Sequence, residues 1–505
     1  MNSLTGKPIS YWIDSTPKTS FPTLSNDIAV DVAIVGGGIA GLTTAILLKR
    51  AGKTVAIIES QKMVTGVSGH TTAKVTSLHQ LIYADLLQDL GIDKARLYAE
   101  SNQAALEQVA KFVAEENIDC DFSRRSAYTF AESEQGLKKI EDEVTAALKL
   151  GLPACFVKET SLPFAIAGAV KFDHQAQFHP RKYLLHLAQC VQGDGSYVFE
   201  DTRVLNVEEE KTSCQVITDK SVITAQEVVI TTNLPILDRG LFFAKTYPKR
   251  SYIVGAKIDP EQAPEGMFIG SGERYFSIRT TPDRNGLLLL VGGGGHKVGE
   301  ISKTEEQYQK VEDFARVRFG IDTFDYRWST QDMVSFDNLP YIGKLTPLSS
   351  HIYVATGFSM WGMTKGTLSG MLLSDLILGI NNPWANLYDA TRATPFATSE
   401  GIKQTISVGM HWVGDRFQGL EKSTLSEVVS GEGKLVTIDG EKLAAYRDEQ
   451  GSIHAVSAVC SHLGCIVAWN SAEKSWDCPC HGARFGCDGV VLHGPAVKDL
   501  KVYEP

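Results

Sequence analysis

Two short half-sites near the C-terminus constrain this chain more than anything else in it. The first reads Cys460-Ser461-His462-Leu463-Gly464-Cys465 and the second Cys478-Pro479-Cys480-His481-Gly482, with fifteen residues between His462 and Cys478. One Cys-x-His and one Cys-x-x-His spacing together offer two thiolates and two imidazoles. That set suits tetrahedral zinc or a two-iron cluster in which two histidines replace two cysteines on one iron. Zinc spacing normally puts both cysteines in one half and both histidines in the other, whereas each half here is mixed. The two-iron reading is therefore favoured. Such a cluster moves one electron and does little other chemistry, so the chain upstream must supply the electrons.

The half-sites resemble the Rieske [2Fe–2S] family, in the disulfide-clamped form known from cytochrome bc complexes. The resemblance implies Cys460, His462, Cys478 and His481 as iron ligands and a disulfide between Cys465 and Cys480. It also implies a cluster edge at which the outer N–H groups of His462 and His481 face solvent and a partner. Gly494-Pro495-Ala496 fits the family's proline loop. In high-potential members a serine follows Cys-His-Gly and a tyrosine lies two positions later; this chain has Ala483 and Phe485. Hydrogen bonds to the sulfurs raise the potential, so a value in the lower half of the roughly −150 to +300 mV range is expected. Turn signals at Gly431, Asp439-Gly440 and Asp448 to Gly451 predict a small all-β domain over 425–505.

At the other end, Asp31-Val32-Ala33-Ile34-Val35 reads as a buried parallel strand. Gly36-Gly37-Gly38-Ile39-Ala40-Gly41 follows, then helical composition from Leu42 to Ala51, then the strand Thr54 to Ile58 ending in Glu59. This is a dinucleotide-binding context: Gly36 makes the turn, Gly38 lets the backbone approach a pyrophosphate, and Gly41 allows close helix–strand packing. The pyrophosphate would sit on the helix N-terminus, with Glu59 accepting from a ribose hydroxyl.

The motif alone does not separate FAD from NAD. The segment resembles FAD-dependent oxidoreductases of the D-amino-acid oxidase and glycine/sarcosine oxidase superfamily, and further matches follow in that family's order. Gly66 to Ala73, which contains Ser68, His70, Thr71 and Thr72, fits the small-residue loop that passes the flavin. Phe178-His179-Pro180-Arg181, Val228 to Asn233 and Leu287 to Gly293 fit later elements. Asp337 to Gly343, Ile352 to Phe358 and Trp361-Gly362-Met363-Thr364 before a small-residue helix fit the second flavin contact. The resemblance implies cofactor contacts at Ile39, Ala40, Gly357, Trp361, Gly362, Met363 and Thr364. It implies a Rossmann-type α/β FAD-binding domain with an α+β substrate domain over 28–390, after an N-terminal extension of 1–27. The nucleotide-binding parts are expected at about 28–80, 150–240 and 330–380, and the substrate and cap parts at about 83–150 and 245–325. His70 aligns with the position at which dimethylglycine-type relatives attach flavin covalently; the other reading, which is favoured, is a histidine hydrogen-bonding near the flavin phosphates or ribityl chain.

Helical periodicity through Leu86, Leu90, Leu97, Leu106 and Val113 predicts a helical excursion over 83–150. Gly292 to Gly299 offers no Gly-x-Gly-x-x-Gly frame, so no NAD site is expected and an organic substrate must reduce the flavin. In amine-oxidising relatives an arginine upstream of Asp-x-x-Pro-x-Ile-Gly grips the substrate carboxylate; the spacing here puts Gln331 or Asp332 there, with Arg327 earlier. Tyr252, Arg274, Arg279, His296, Trp361 and Lys365 are the pocket candidates. Residues 391–424 read as a linker with an amphipathic helix, with Ile402, Ile406, Met410, Val413, Phe417 and Leu420 on one face.

A formal net charge of −10 offers no basic patch for nucleic acid. No run of eighteen apolar residues or export signal is seen, and four cysteines outside the half-sites' 46-residue region are scattered. The cytoplasm is the default expectation. The sequence thus predicts an FAD-dependent dehydrogenase of an amine or amino-acid-like small molecule. Its flavin passes electrons to a Rieske [2Fe–2S] cluster and on to an external acceptor, a protein or quinone. The alternatives are a redox module without its own substrate and a peroxide-forming oxidase.

Overall fold

The structure, a computed structural model, describes residues 4–272, 275–392 and 424–503. Its first sheet is built around the strand Ile28–Val35, which pairs in parallel with Val55–Ile58 on one side and Val222–Ile230 on the other. Strands buried on both faces read as continuous apolar runs, and Ala33, Ile34, Ala56, Ile57, Val229 and Ile230 are all fully buried. Ile352–Thr356 extends the parallel set beside Val222–Ile230, and Tyr197–Phe199 extends it beside Val55–Ile58. The glycine turn leaves the end of the central strand and enters the helix Ile39–Arg50. A second helix, Gly362–Ile377, packs against that one.

The second sheet is nine-stranded and mixed. Its long strand Thr246–Ile258 pairs antiparallel with Gly286–Lys297 and with Tyr326–Ser335. The helix Glu305–Phe319 covers its outer face around Tyr252, Tyr308 and Phe319. The glycine-rich run at Gly292 lies within the strand Gly286–Lys297, with a register shift opposite Arg250 and Tyr252 and φ +63° at Gly294, and not in a turn that enters a helix.

Several boundaries differ from the sequence expectation. Residues 83–150 hold the helices Tyr83–Glu115 and Glu134–Lys149, but the strand Ser123–Ala131 lies between them and enters the second sheet. Its partner Gly168–Gln177 also belongs to the second sheet, although 150–240 was expected to serve the first. Tyr326–Ser335 likewise pairs in the second sheet. In each case long-range pairing overrides a local pattern that periodicity cannot assign to a sheet. The N-terminal extension contributes to the core: Trp12 is fully buried, its Nε1 donates to Thr71 O at 2.7 Å, and the Arg279 guanidinium lies 5.5 Å from its ring centre.

The expected linker helix lies outside the described residues. From 424 onward the chain forms a three-stranded sheet (Gly433–Ile438, Glu441–Arg447, Ile453–Ser457) and a four-stranded one running from Ala468–Asn470 to Val491–His493. The half-sites lie in loops: Cys460 to Cys465 after Ile453–Ser457, and Cys478 to Gly482 between Ser475–Asp477 and Arg484–Phe485. No helix among the described residues is long and apolar enough to cross a membrane.

Candidate active site

A cavity of about 1000 Å³ opens between the two sheets at the carboxyl ends of the parallel strands. In open α/β sheets this crevice is where ligands bind. Its floor is the glycine turn. A side chain at Gly41 would put its Cβ 2.2 Å from Gly36 O, so helix and strand meet in backbone contact. Glu59 accepts from Gly37 N at 2.9 Å, and Ser68 Oγ accepts from Ile39 N at 3.1 Å. The helix N-terminus thus borders the cavity through Gly38, Ile39 and Ala40, an arrangement that favours a phosphate.

Of the residues expected to touch the flavin, Gly36, Gly38, Ile39, Ala40, Glu59, Ser68, His70, Thr71, Thr72, Trp361, Gly362 and Met363 line this cavity. Gly41, Gly357 and Thr364 do not. Thr364 instead bonds Thr76 O at 2.8 Å and ties the second helix to the loop after Ala73. The His70 ring bonds Gly66 O through Nδ1 at 2.9 Å, and burial pushes its pKa down. Trp361 stacks on the buried ring of His79, 4.7 Å between centres.

Of the pocket candidates, Trp361 and Lys365 line the cavity and Tyr252 and His296 do not. Tyr252 OH meets His296 Nε2 at 2.9 Å, and this pair packs toward the C-terminal domain. Arg274 lies outside the described residues. Arg279 is buried, and its guanidinium donates to Thr72 O and Ala73 O, holding the loop rather than facing a ligand. Lys365 Nζ donates to Asn338 O at 2.8 Å, and burial pushes its ammonium down to about 7. Asp332 is buried too, accepts from Met360 N at 2.7 Å, and is pushed up to about 6.

The motifs did not mark Lys74 and Lys249 as site residues. Lys74 bonds Ser277 Oγ, and burial lowers it to about 7. Lys249 sits 5.5 Å from the centre of the Tyr275 ring and is also lowered by burial. Both line the cavity, and among the described residues neither ammonium meets a carboxylate. A lysine in the otherwise small and β-branched stretch Thr71 to Thr76 was the available signal for the first.

The same cavity is also lined by the C-terminal domain, through Arg484, Leu492, His493, Gly494 and Ala496. His493 Nε2 lies 3.1 Å from Asn233 Nδ2. Arg250, 1% exposed, pairs with Asp477 at 2.8 Å and with Glu473 at 3.4 Å. Burial alone would raise the Asp477 carboxyl, but Arg250 and Arg484 hold it at about 2.

The two half-sites come together beside this contact. Cys465 and Cys480 form a disulfide, so their sulfurs are not available to a metal. Cys460 and Cys478 are buried and share a hydrogen bond that pulls the Cys460 thiol down. The His462 and His481 rings lie 5.0 Å apart, and the Nδ1 atom of each is buried with no hydrogen-bond partner in the structure. Burial keeps His481 neutral, at about 3. Two buried, unpartnered imidazole nitrogens and two buried thiols on the same pair of loops fit a two-iron cluster. The expectation of a solvent-facing histidine edge is corrected. The His462 side chain is 5% exposed, and Phe243 stacks edge-on against both rings. Long-range docking of one half of the chain on the other, invisible to motif spacing, covers it.

Comparison with known proteins places these two sites in context. Residues 31–376 match the family model for FAD dependent oxidoreductases, and residues 421–504 match that for the Rieske [2Fe-2S] domain. YhfW of Bacillus subtilis, described as an iron-sulfur protein of the Rieske 2Fe-2S kind, is 37% identical over 498 residues, spanning 98% of this chain and 97% of its own. Gamma-glutamylputrescine oxidoreductase of Escherichia coli is 24% identical over 400 residues, 73% of this chain and 89% of its own. The crystal structure of glycine oxidase from Geobacillus kaustophilus superposes with a TM-score of 0.61 at 20% identity, covering 72% of this chain and 99% of that one.

Proposed function

Because the chain belongs to the FAD dependent oxidoreductase family and carries a C-terminal Rieske [2Fe–2S] domain, we propose that it dehydrogenates an amine or amino-acid-like small molecule and hands the electrons, through its own cluster, to an external acceptor. FAD and a [2Fe–2S] cluster are the cofactors these domains imply. A flavin converts between two-electron and one-electron chemistry, which is what a cluster outlet requires. The observation that carries this reading is the shared cavity: His493, Gly494 and Ala496 of the cluster domain line the same space as the glycine turn.

Each part of the chain has a role in this reading. The amides of Gly38 and Ala40 would receive the pyrophosphate, Glu59 would take a ribose hydroxyl, and the start of the helix Gly362–Ile377 would meet the ring end. Cys460, Cys478, His462 and His481 hold the irons. Lys74 and Lys249 put two buried amines at the wall of the cavity that meet no carboxylate among the described residues, and a substrate or reduced ring carrying negative charge would favour their protonated forms. Asp332 lines the cavity with its carboxyl pushed up to about 6 by burial, which makes it a candidate proton acceptor. An amine substrate is supported by likeness to gamma-glutamylputrescine oxidoreductase. The covered cluster edge supports transfer within one chain.

The test is anaerobic mixing of the loaded chain with a panel of amines and amino acids. Flavin bleaching followed by the cluster's reduced EPR signal is expected. Bleaching with stoichiometric peroxide on admitting air, and a cluster that stays oxidised, would favour the oxidase instead.

A further inference from the structure

We propose that Gln331 is the positioning residue that fixes the cluster-binding loop to the wall of the flavin cavity, so that electrons cross within one chain. This rests on the function proposed above. Gln331 lies on the strand Tyr326–Ser335, lines the cavity and is 5% exposed. Its Nε2 donates to Gly482 O at 2.7 Å, directly beside His481. Its Oε1 accepts from Arg250 Nη2 at 2.9 Å, and Arg250 pairs with Asp477, the residue before Cys478. The loop Cys478 to Gly482 is therefore held at both ends by one connected set of buried groups. A half-satisfied set of this kind is costly, so each bond enforces the others.

The fit leaves no slack. Gly482 has φ +78°, and a Cβ there would lie 2.5 Å from Gln331 Nε2 and 2.7 Å from Pro248 Cβ. Asn233, which bonds His493 across the same contact, also donates to Gln331 O at 3.3 Å. By spacing, Gln331 is one of two residues at the place where amine-oxidising relatives carry a carboxylate-gripping arginine. Here that side chain is turned to the cluster loop. Each crossing takes one electron from the reduced flavin and turns one ferric ion ferrous. A one-electron protein or quinone acceptor reoxidises the cluster before the second crossing, and the flavin's protons leave to solvent.

The experiment uses the full chain carrying both cofactors, with its flavin photoreduced without oxygen and cluster reduction followed by EPR. Gln331→Glu keeps the acceptor for Arg250 but sets a carboxylate oxygen against Gly482 O, and Gln331→Met removes both bonds at similar volume. Both variants should slow cluster reduction, scored per reduced flavin, severalfold or more, because Gly482 O is no longer held at the cavity wall. In Gln331→Met the EPR line shape and midpoint potential of the dithionite-reduced cluster should stay those of the unmodified chain, which a loss of folding would not allow; in Gln331→Glu the line shape should stay while the new carboxylate beside the loop lowers the potential. Unchanged speed in both variants would overturn the proposal and leave the proposed function standing. An unmodified chain whose cluster stays oxidised beside reduced flavin would overturn both.

Discussion

His462 Nε2 lies 2.8 Å from Asp238 Oδ1, so a carboxylate of the flavin-binding half touches the outer nitrogen of a histidine on the cluster loop. Negative charge at that point stabilises the more positive, oxidised cluster. Asp238 is 40% exposed, so solvent screens much of the effect. Asp238→Asn should raise the midpoint potential by about 20–40 mV, from ~0.5–1 kcal/mol for a partly exposed charge. Redox titration followed by EPR reads this directly. A fall in potential would contradict the assignment.

Ala483 and Phe485 are fully buried beside the half-site loops and carry no hydroxyl. Without donors to the cluster sulfurs the unmodified chain should titrate in the lower half of the roughly −150 to +300 mV range. Ala483→Ser and Phe485→Tyr should each raise it. A midpoint above about +200 mV in the unmodified chain would contradict this account.

Lys74 is buried and titrates at about 7 in the folded chain, against about 10.4 when unfolded. Between those values the unfolded chain binds one more proton, so stability rises with pH by roughly 1.4 kcal/mol per unit for this group. Below the folded value both states hold the proton and the cost of the buried charge is present in full. Lys365 adds to the slope over the same window. In the flavin-free chain, Lys74→Met should flatten the rise in unfolding free energy between about pH 7.5 and 9 by one proton's worth. Parallel slopes in denaturant titrations of the two chains would refute it.

The backbone contact at Gly41 makes another forecast. A Cβ 2.2 Å from Gly36 O forces helix and strand apart. Gly41→Val should abolish flavin retention while the cluster still assembles, since its ligands lie in loops of the C-terminal sheets. Purified protein with normal flavin content and unaltered absorbance would contradict the packing argument.

The sequence carried the parts whose chemistry is local. The turn at Gly36, the acid at Glu59 and the two mixed half-sites each depend on residues a few positions apart, so spacing alone brings them to the right place. What it could not carry was docking. Arg250 and Asp238 look like ordinary strand and loop residues until the cluster domain is set against them, and Gln331 and Asn233 stand in family-matched stretches that give no sign of a bond to that domain. Tyr252 and His296 read as pocket residues because their strands were known but not which face looked inward. A one-residue change of phase in a strand reverses that face. Lys74 gives no motif signal, because its neighbours resemble a family loop in which small residues are expected.

The central claim is that electrons leave the flavin through the cluster of the same chain. It is tested most directly by photoreducing the flavin without oxygen and mixing the chain with a one-electron dye acceptor, alongside His481→Ala, which keeps the flavin half and lacks one proposed iron ligand. The account predicts rapid dye reduction by the unmodified chain and loss of most of that rate in the variant at equal flavin content. Equal dye reduction by both chains would contradict it.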